Sequence, residues 1–223
     1  MSIAENFSIV RERIETAAAR AGTDAAGITL VAVTKTVDVP AIHETIRAGV
    51  TDIGENYVQD AVRKFDEVGK AVRWHMIGHL QTNKVRHAVK IFDLIQSVDS
   101  KLLAEEIGKR SLSVEKVTEV LVEVNISGEA SKTGVYPAEA LALCDAVAAI
   151  DGVKLAGLMG IASFAQETSA IRKSFAGLKA LWDKLPAENR KWLSMGMTSD
   201  FEIAIEEGSN MVRIGTAIFG QRA

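Results

Sequence analysis

The sequence is poor in the residues that build disulfides and interdomain linkers. Its single cysteine, Cys144, cannot form an internal disulfide, and it lies in an apolar helical stretch where we expect a small buried hydrophobe. Only three prolines occur, and no run rich in Ser, Gly and Pro marks a linker. We therefore expect one domain over residues 1–223. The N-terminus lacks the basic-then-apolar pattern of a secretion signal, so we expect a cytoplasmic protein.

The chain also lacks an excess of either charge and any long apolar run. A net charge of −3 gives no basic footprint for nucleic acid. No apolar run approaches the roughly 20 residues that span a bilayer. We expect no nucleic acid and no membrane among the partners, and we expect a monomer.

What the chain does contain is an alternation of short apolar, β-branched runs with segments of helical spacing. The clearest run, ITLVAVTK at 28–35, suits a strand that is covered on both faces. Strands are predicted at 28–35, 51–53, 72–77, 91–98, 117–124, 153–159, 191–195 and 211–214. A helix-like segment follows each strand, for example at 58–68 and 137–150, and residues 1–21 form a leading amphipathic helix. This order predicts an α/β fold, a single (β/α)8 TIM-type barrel with an extra N-terminal helix.

The first strand stops at a lysine, Lys35. At the rim of a buried sheet an ammonium group loses hydration, and a larger fraction becomes the neutral amine that can attack a carbonyl group. That is the chemistry of a Schiff base. The alternative is a strand-end lysine whose stem packs while its charged head reaches water.

The loops after the seventh and eighth predicted strands carry the features of a phosphate receptor. SMGMTSDFE places Ser194 and Gly196 after strand seven, and RIGTAIFG places Gly215 and Thr216 after strand eight. Hydroxyl groups, free backbone N–H groups and glycines that permit close approach suit a phosphate dianion. Barrels of this kind often bind phosphate at these two loops. The alternative is that the glycines only complete turns.

A lysine on strand one and a phosphate receptor on strands seven and eight suggest one ligand with both an aldehyde and a phosphate. Pyridoxal 5′-phosphate satisfies this requirement. Arg213, at the end of strand eight, could then face the pyridine nitrogen, which would stay unprotonated because an arginine only donates. The alternative for Arg213 is an ion pair near the barrel mouth. We predict no metal, since His75 and His79 lack a third ligand at useful spacing.

Five segments carry a resemblance to a known family. VAVTK, GENYVQD, WHMIGHLQTNK, LSMGMTSDFEIAI and VRIGTAIFG closely resemble the YggS/PROSC family of pyridoxal phosphate homeostasis proteins, in the same order along the chain. The resemblance implies the fold of the alanine racemase N-terminal barrel and a covalently bound cofactor. It makes Lys35 the Schiff-base lysine and Arg213 the partner of the ring nitrogen. It also implies phosphate ligands at Ser194, Gly196, Gly215 and Thr216, and pocket-lining positions at Asn56, Met159 and Met195.

The resemblance implies a carrier and regulator of vitamin B6, with apo enzymes that use pyridoxal phosphate as recipients and no established catalytic turnover. The alternative is an amino-acid racemase that depends on the same cofactor. Racemases of this fold carry a tyrosine shortly after the lysine and a second, all-β domain, whereas residues 36–38 here are TVD and the chain ends after the barrel. The tyrosines present, Tyr57 and Tyr136, match no such position. A third possibility is a Schiff-base aldolase acting on a phosphosugar.

Overall fold

Eight parallel strands close into a barrel in the computed structural model, which describes residues 1–129, 132–163 and 167–220. Each strand pairs with the next along the chain, and β8 pairs with β1. The strands are β1 (Thr29–Val33), β2 (Asp52–Glu55), β3 (Arg73–Met76), β4 (Leu94–Val98), β5 (Thr118–Val124), β6 (Val153–Gly160), β7 (Trp192–Ser194) and β8 (Met211–Ile214). The predicted TIM-type barrel is therefore confirmed.

Helices follow the strands and form the outer layer. They are α1 (Ile3–Ala21), α2 (Val39–Arg47), α3 (Val58–Val68), α4 (Val85–Ile91), α5 (Lys101–Leu112), α6 (Ala140–Ala148), α7 (Thr168–Trp182), α8 (Phe201–Glu206) and α9 (Thr216–Phe219). The carboxylate of Asp38 caps α2 and the hydroxyl of Ser100 caps α5, each by accepting a backbone N–H of the first turn. In the ranges that the structure describes, no helix is long and apolar enough to cross a membrane.

The predicted leading helix, α1, packs against α8, α9 and α2. It begins with a capping box between Ser2 and Glu5, and Gly22 caps its C-terminal end with a left-handed φ of 66°. Arg13 of α1 pairs with Glu202 of α8 at 2.9 Å. Because α9 has only four residues, α1 completes the helical layer between α8 and α2.

Alternation of side chains along the strands separates two cores. Outward-facing residues pack under the helices, where Cys144 of α6 also lies; burial raises the pKa of its thiol to about 12. Inward-facing residues form a smaller core within the barrel, made of Val31, Leu94, Leu121, Ala156, Met159 and Met211. The barrel interior is thus filled by side chains, and its open space lies at the ends of the strands.

Several expected element ends and one expected helix cap were wrong. The strand predicted at 91–98 begins at Leu94, because Ile91 still belongs to α4. The spacing of Ser199 and Glu202 predicts a capping box for α8, yet Asp200 precedes the helix and accepts the Met197 N–H at 2.6 Å. Glu202 instead pairs with α1, a contact between elements far apart in sequence that outweighs the local pattern.

Candidate functional site

Barrel closure brings the lysine strand beside the last strand. In the register of β1 and β8, Val31 lies opposite Arg213 and Ala32 opposite Ile214. The C-terminal ends of both strands open into one cavity of about 310 Å³. Its lining includes Lys35, Thr36, Val33, Gly215, Thr216 and Phe219. Lys35 and the Gly215–Thr216 turn therefore follow two neighbouring strands. They do not lie on opposite sides of the barrel mouth.

The backbone on which Lys35 sits is fixed by its neighbours. The Thr34 N–H donates to the Gly54 carbonyl at 2.9 Å, and the Thr34 hydroxyl donates to Glu55 Oε1 at 2.6 Å. Lys64 Nζ, from α3, donates to both Glu55 Oε1 and the Thr34 carbonyl at 2.7 Å. This buried cluster holds the end of β1 from the helix side, so the strand end has little freedom to move.

The turn that follows Lys35 is strained. Thr36 has a φ of 66°, a left-handed conformation that a β-branched residue rarely adopts and that costs about 1–3 kcal/mol. Lys35 itself is half-buried, and within the described chain its ammonium makes no ion pair or side-chain hydrogen bond, unlike Lys64. The surrounding structure therefore imposes the position of Lys35, while its amine remains available to a ligand.

The two glycines of the predicted phosphate receptor play different structural roles. Gly196 has a φ of +96°, and a Cβ there would lie 2.6 Å from Ala204 Cβ and 2.9 Å from Phe201 Cα. Gly215 has a φ of −113°, which any residue can adopt, and its Cβ would come no closer than 3.5 Å to Val33. The turn after β7 thus requires glycine for the fold, whereas the space at Gly215 borders the cavity and is not filled by the protein.

Arg213 lies beneath the mouth as a buried guanidinium. It donates to the Ser194 hydroxyl and, at 2.9 Å, to the Gly160 carbonyl. The alternative of an ion pair is not found, because no carboxylate in the described residues forms a salt bridge with Arg213. Burial lowers the pKa of Arg213 to about 10, against the opposing influence of Glu123 and Asp200. The group has more N–H donors than these two contacts use.

The acidic and imidazole groups near the mouth are dispersed. Burial raises the pKa of Glu123, which accepts the Thr133 hydroxyl at 2.6 Å, and also that of Asp200. His79 Nδ1 lies 3.5 Å from Asp99 Oδ2, and the His79 side chain is half-exposed. Across the described part of the chain, no three His, Cys, Asp or Glu residues are arranged to hold a metal ion.

The remaining residues of the predicted site are spread around the barrel. Asn56 lines a separate cavity of about 340 Å³ together with Tyr57, Gly78 and His79. Met159 is buried in the barrel interior, whereas Met195 is buried in the outer core under the helices. The cavity at Lys35 therefore brings together Lys35, Gly215 and Thr216. Ligand contacts of Arg213, Gly196, Asn56, Met159 and Met195 stay predictions.

Ser194 occupies a position that the sequence does not reveal. Its hydroxyl is fully buried, donates to Gln96 Oε1 at 2.6 Å and accepts from Arg213. Its predicted contact with phosphate stays a prediction, and the structure gives it a second role as a support for Arg213. Gln96 was overlooked in the sequence; the available signal was an amide in the short strand run LIQSV.

The closed barrel and the cavity at Lys35 define a class of ligand-binding barrels, and comparison with known families agrees with this class. A family model for the alanine racemase N-terminal domain matches residues 3–223. A pyridoxal phosphate homeostasis protein of Aquifex aeolicus (strain VF5) is 41% identical over 226 residues, covering 100% of this chain and 99% of that protein. The chain belongs to the family of pyridoxal phosphate homeostasis proteins, within the alanine racemase N-terminal class of barrels.

Two solved structures of one relative extend the comparison. PipY of Synechococcus elongatus PCC7942 without PLP superposes with a TM-score of 0.88 and 32% identity, covering 98% of this chain and 100% of PipY. PipY with PLP bound gives a TM-score of 0.83 and 31% identity, with the same coverage. The likeness extends over the whole barrel in both cases.

Proposed function

We propose that this protein binds pyridoxal 5′-phosphate for intracellular vitamin B6 homeostasis, holding it as a Schiff base on Lys35 without catalytic turnover. The observation that carries the proposal is the single cavity lined by Lys35 and by the Gly215–Thr216 turn. The pyridoxal phosphate homeostasis relatives and the PLP-bound PipY structure support the choice of ligand. At about 310 Å³, the cavity falls within the size range of small-molecule sites, roughly 300–1,000 Å³.

The bound cofactor would supply an aldehyde, a phosphate and a pyridine ring. Lys35 provides the amine: after losing a proton, its Nζ attacks the aldehyde carbon, and a water molecule leaves as the carbon–nitrogen double bond forms. The fixed end of β1 and the strained turn at Thr36 hold the backbone of Lys35 in place before the ligand arrives. Because Lys35 has no competing carboxylate partner in the described chain, no ion pair has to break first.

The Gly215–Thr216 turn in the cavity lining suits the phosphate. Gly215 has no side chain, so the phosphate can approach the backbone closely, and the Thr216 hydroxyl is available as a donor. Gly196, in the loop after β7, supports the Gly215–Thr216 turn, because the backbone N–H of Arg213 donates to the Gly196 carbonyl at 3.0 Å. We assign the phosphate to this corner for these reasons.

Arg213 is assigned to the ring nitrogen. A guanidinium can only donate, so the ring nitrogen facing it stays an acceptor without a proton. The ring is then a weaker electron sink than one paired with a carboxylate, which favours holding the cofactor over carbanion chemistry. We keep Ser194, Asn56, Met159 and Met195 in the proposal as neighbours of the cofactor, with Ser194 acting at least through Arg213.

A carrier must also release its cargo. Lys35 and the cavity are partly open to solvent, and a Schiff base exchanges with a second amine, so an apo enzyme that uses pyridoxal phosphate can receive the cofactor. We propose that the protein does this in the cytoplasm and as a monomer.

The direct test is to map the adduct. Purified protein loaded with pyridoxal phosphate should show visible absorbance, and borohydride reduction should leave one pyridoxyl group on the peptide that contains Lys35. Mass spectrometry of the digest locates it. Absence of an adduct, or an adduct confined to other lysines, would overturn the proposal.

The racemase alternative needs groups that transfer protons on both faces of the substrate. Tyr57 and Tyr136 are both largely exposed, and neither lines the cavity at Lys35. Loaded protein incubated with a panel of L-amino acids should therefore yield no D-enantiomer by chiral chromatography. Measurable inversion would defeat the carrier proposal and favour the racemase.

A further inference from the structure

A chain of buried polar side chains crosses the barrel interior and ends at Arg213. His75 Nε2 lies 2.8 Å from Asp52 Oδ1, and Gln96 Nε2 lies 2.9 Å from His75 Nδ1. Gln96 Oε1 accepts the Ser194 hydroxyl at 2.6 Å, and Ser194 accepts from Arg213. The members come from β2, β3, β4, β7 and β8, and none is more than 4% exposed. The link between β4 and β7 runs through the interior, because these strands are not neighbours.

With the Gln96 amide oriented so that its Nε2 faces His75 and its Oε1 faces Ser194, only one arrangement of protons satisfies these hydrogen bonds. An arginine can only donate and an ionised carboxylate can only accept, so every hydrogen bond must run from Arg213 towards Asp52. His75 must then be neutral, with its proton on Nε2 and a bare Nδ1 facing the amide N–H of Gln96. Burial lowers the pKa of His75, which agrees with a neutral ring. The pKa of Asp52 is lowered although burial opposes it, because the His75 hydrogen bond stabilises the carboxylate.

The two ends of the chain carry opposite charges. In a low-dielectric interior, hydrogen bonds that all point the same way polarise one another. The chain thereby links the guanidinium to the distant carboxylate of Asp52, while the described residues offer Arg213 no direct ion pair. It also fixes the Ser194 hydroxyl as an acceptor for Arg213, which restricts the plane of the guanidinium.

We propose that His75 and Gln96 are positioning residues for Arg213: through Ser194 they orient its guanidinium towards the ring nitrogen of the bound cofactor. The proposal rests on the proposed function, because it takes pyridoxal phosphate as the ligand at Arg213. Neither His75 nor Gln96 touches the cofactor in this scheme. Their effect on binding therefore depends on Arg213.

Gln96→Leu tests the chain at its centre with little change in side-chain volume. We expect the affinity for pyridoxal phosphate to fall about tenfold, equivalent to the loss of about 1.4 kcal/mol, and the visible absorbance maximum of the bound cofactor to shift. The adduct should still form on Lys35. The matched control is Ser97→Ala on the same strand, since the buried Ser97 hydroxyl has no hydrogen-bond partner in the described chain. The control should leave affinity and spectrum unchanged.

A double-mutant cycle distinguishes positioning from general support of the barrel. In an Arg213→Gln background, Gln96→Leu should change affinity less than about twofold and should shift the spectrum no further. Independent effects that add in the double variant would overturn the proposal. If Gln96→Leu does not fold, Gln96→Glu replaces it in the cycle with the same expected loss, because its carboxylate removes the donor to His75.

A measurement on the protein without cofactor separates this inference from the proposed function. Nitrogen NMR of the histidine rings near neutral pH should show His75 as the neutral tautomer with the proton on Nε2. A doubly protonated His75 ring, or a proton on its Nδ1, would overturn the proposed chain of hydrogen bonds even if Lys35 carries the cofactor. Absence of the Lys35 adduct in wild-type protein would instead overturn the proposed function.

Discussion

Replacement of Lys35 by alanine should abolish the pyridoxyl adduct and the visible absorbance of the loaded protein. The expected loss of affinity is at least about 100-fold, because the covalent bond contributes far more than the remaining contacts. Stability should hardly change: the half-buried Lys35 side chain makes no ion pair in the described chain, so we expect the free energy of unfolding to stay within about 0.5 kcal/mol. Absorbance titration and denaturant unfolding measure the two quantities.

The control for this variant is Lys101→Ala. Lys101 is an exposed lysine of α5 that pairs with Glu105 at 3.5 Å and lies far along the chain from the cavity lining. The Lys101→Ala protein should bind pyridoxal phosphate with the same affinity as the wild type. Lys64 is unsuitable as a control, because it anchors the end of β1. Retention of the full absorbance by Lys35→Ala would show that another amine holds the cofactor.

The second large effect is expected from Gly215→Ala. Its φ of −113° accommodates alanine, and the new methyl group would meet Val33 at an ordinary contact distance of 3.5 Å. Folding should therefore be preserved. The methyl group would occupy space beside the cavity and keep the phosphate from the backbone, so we expect affinity to fall about 100-fold, or about 2.7 kcal/mol. Titration of the variant with pyridoxal phosphate checks this.

Gly196→Ala serves as the contrasting variant. Its left-handed φ and the 2.6 Å approach to Ala204 should destabilise the fold by about 2 kcal/mol or more, whatever happens to binding. Comparison of the two variants distinguishes Gly196, which the fold requires, from Gly215, which ligand binding requires. Unchanged affinity in a well-folded Gly215→Ala protein would place the phosphate elsewhere.

The order of strands and helices could be predicted because each element has its own pattern of apolar residues. The helix expected at 58–68 has the same bounds in the structure. Errors occur at the ends of elements, where contacts from elsewhere decide: α6 begins at Ala140 instead of 137, and β1 ends at Val33, two residues before Lys35. Patterns of hydrophobicity carry little information about these final residues.

The proximity of Lys35 to the Gly215–Thr216 turn could be predicted from barrel closure alone. The supports of the site could not. Gln96 meets Ser194 across the barrel, and that contact depends on the register of strands that are not neighbours. The left-handed Thr36 has no sequence signal either, since threonine seldom adopts that conformation. Inward-facing polar residues in short apolar strands are the one sequence pattern that would have indicated the buried chain of hydrogen bonds from Arg213 to Asp52.

A crystal structure of the protein with pyridoxal phosphate tests the central claim most directly. It should show continuous electron density from Lys35 Nζ to the cofactor, with the phosphate against the backbone of Gly215 and Thr216. Density joined to a different lysine, or a phosphate bound away from this turn, would contradict the account.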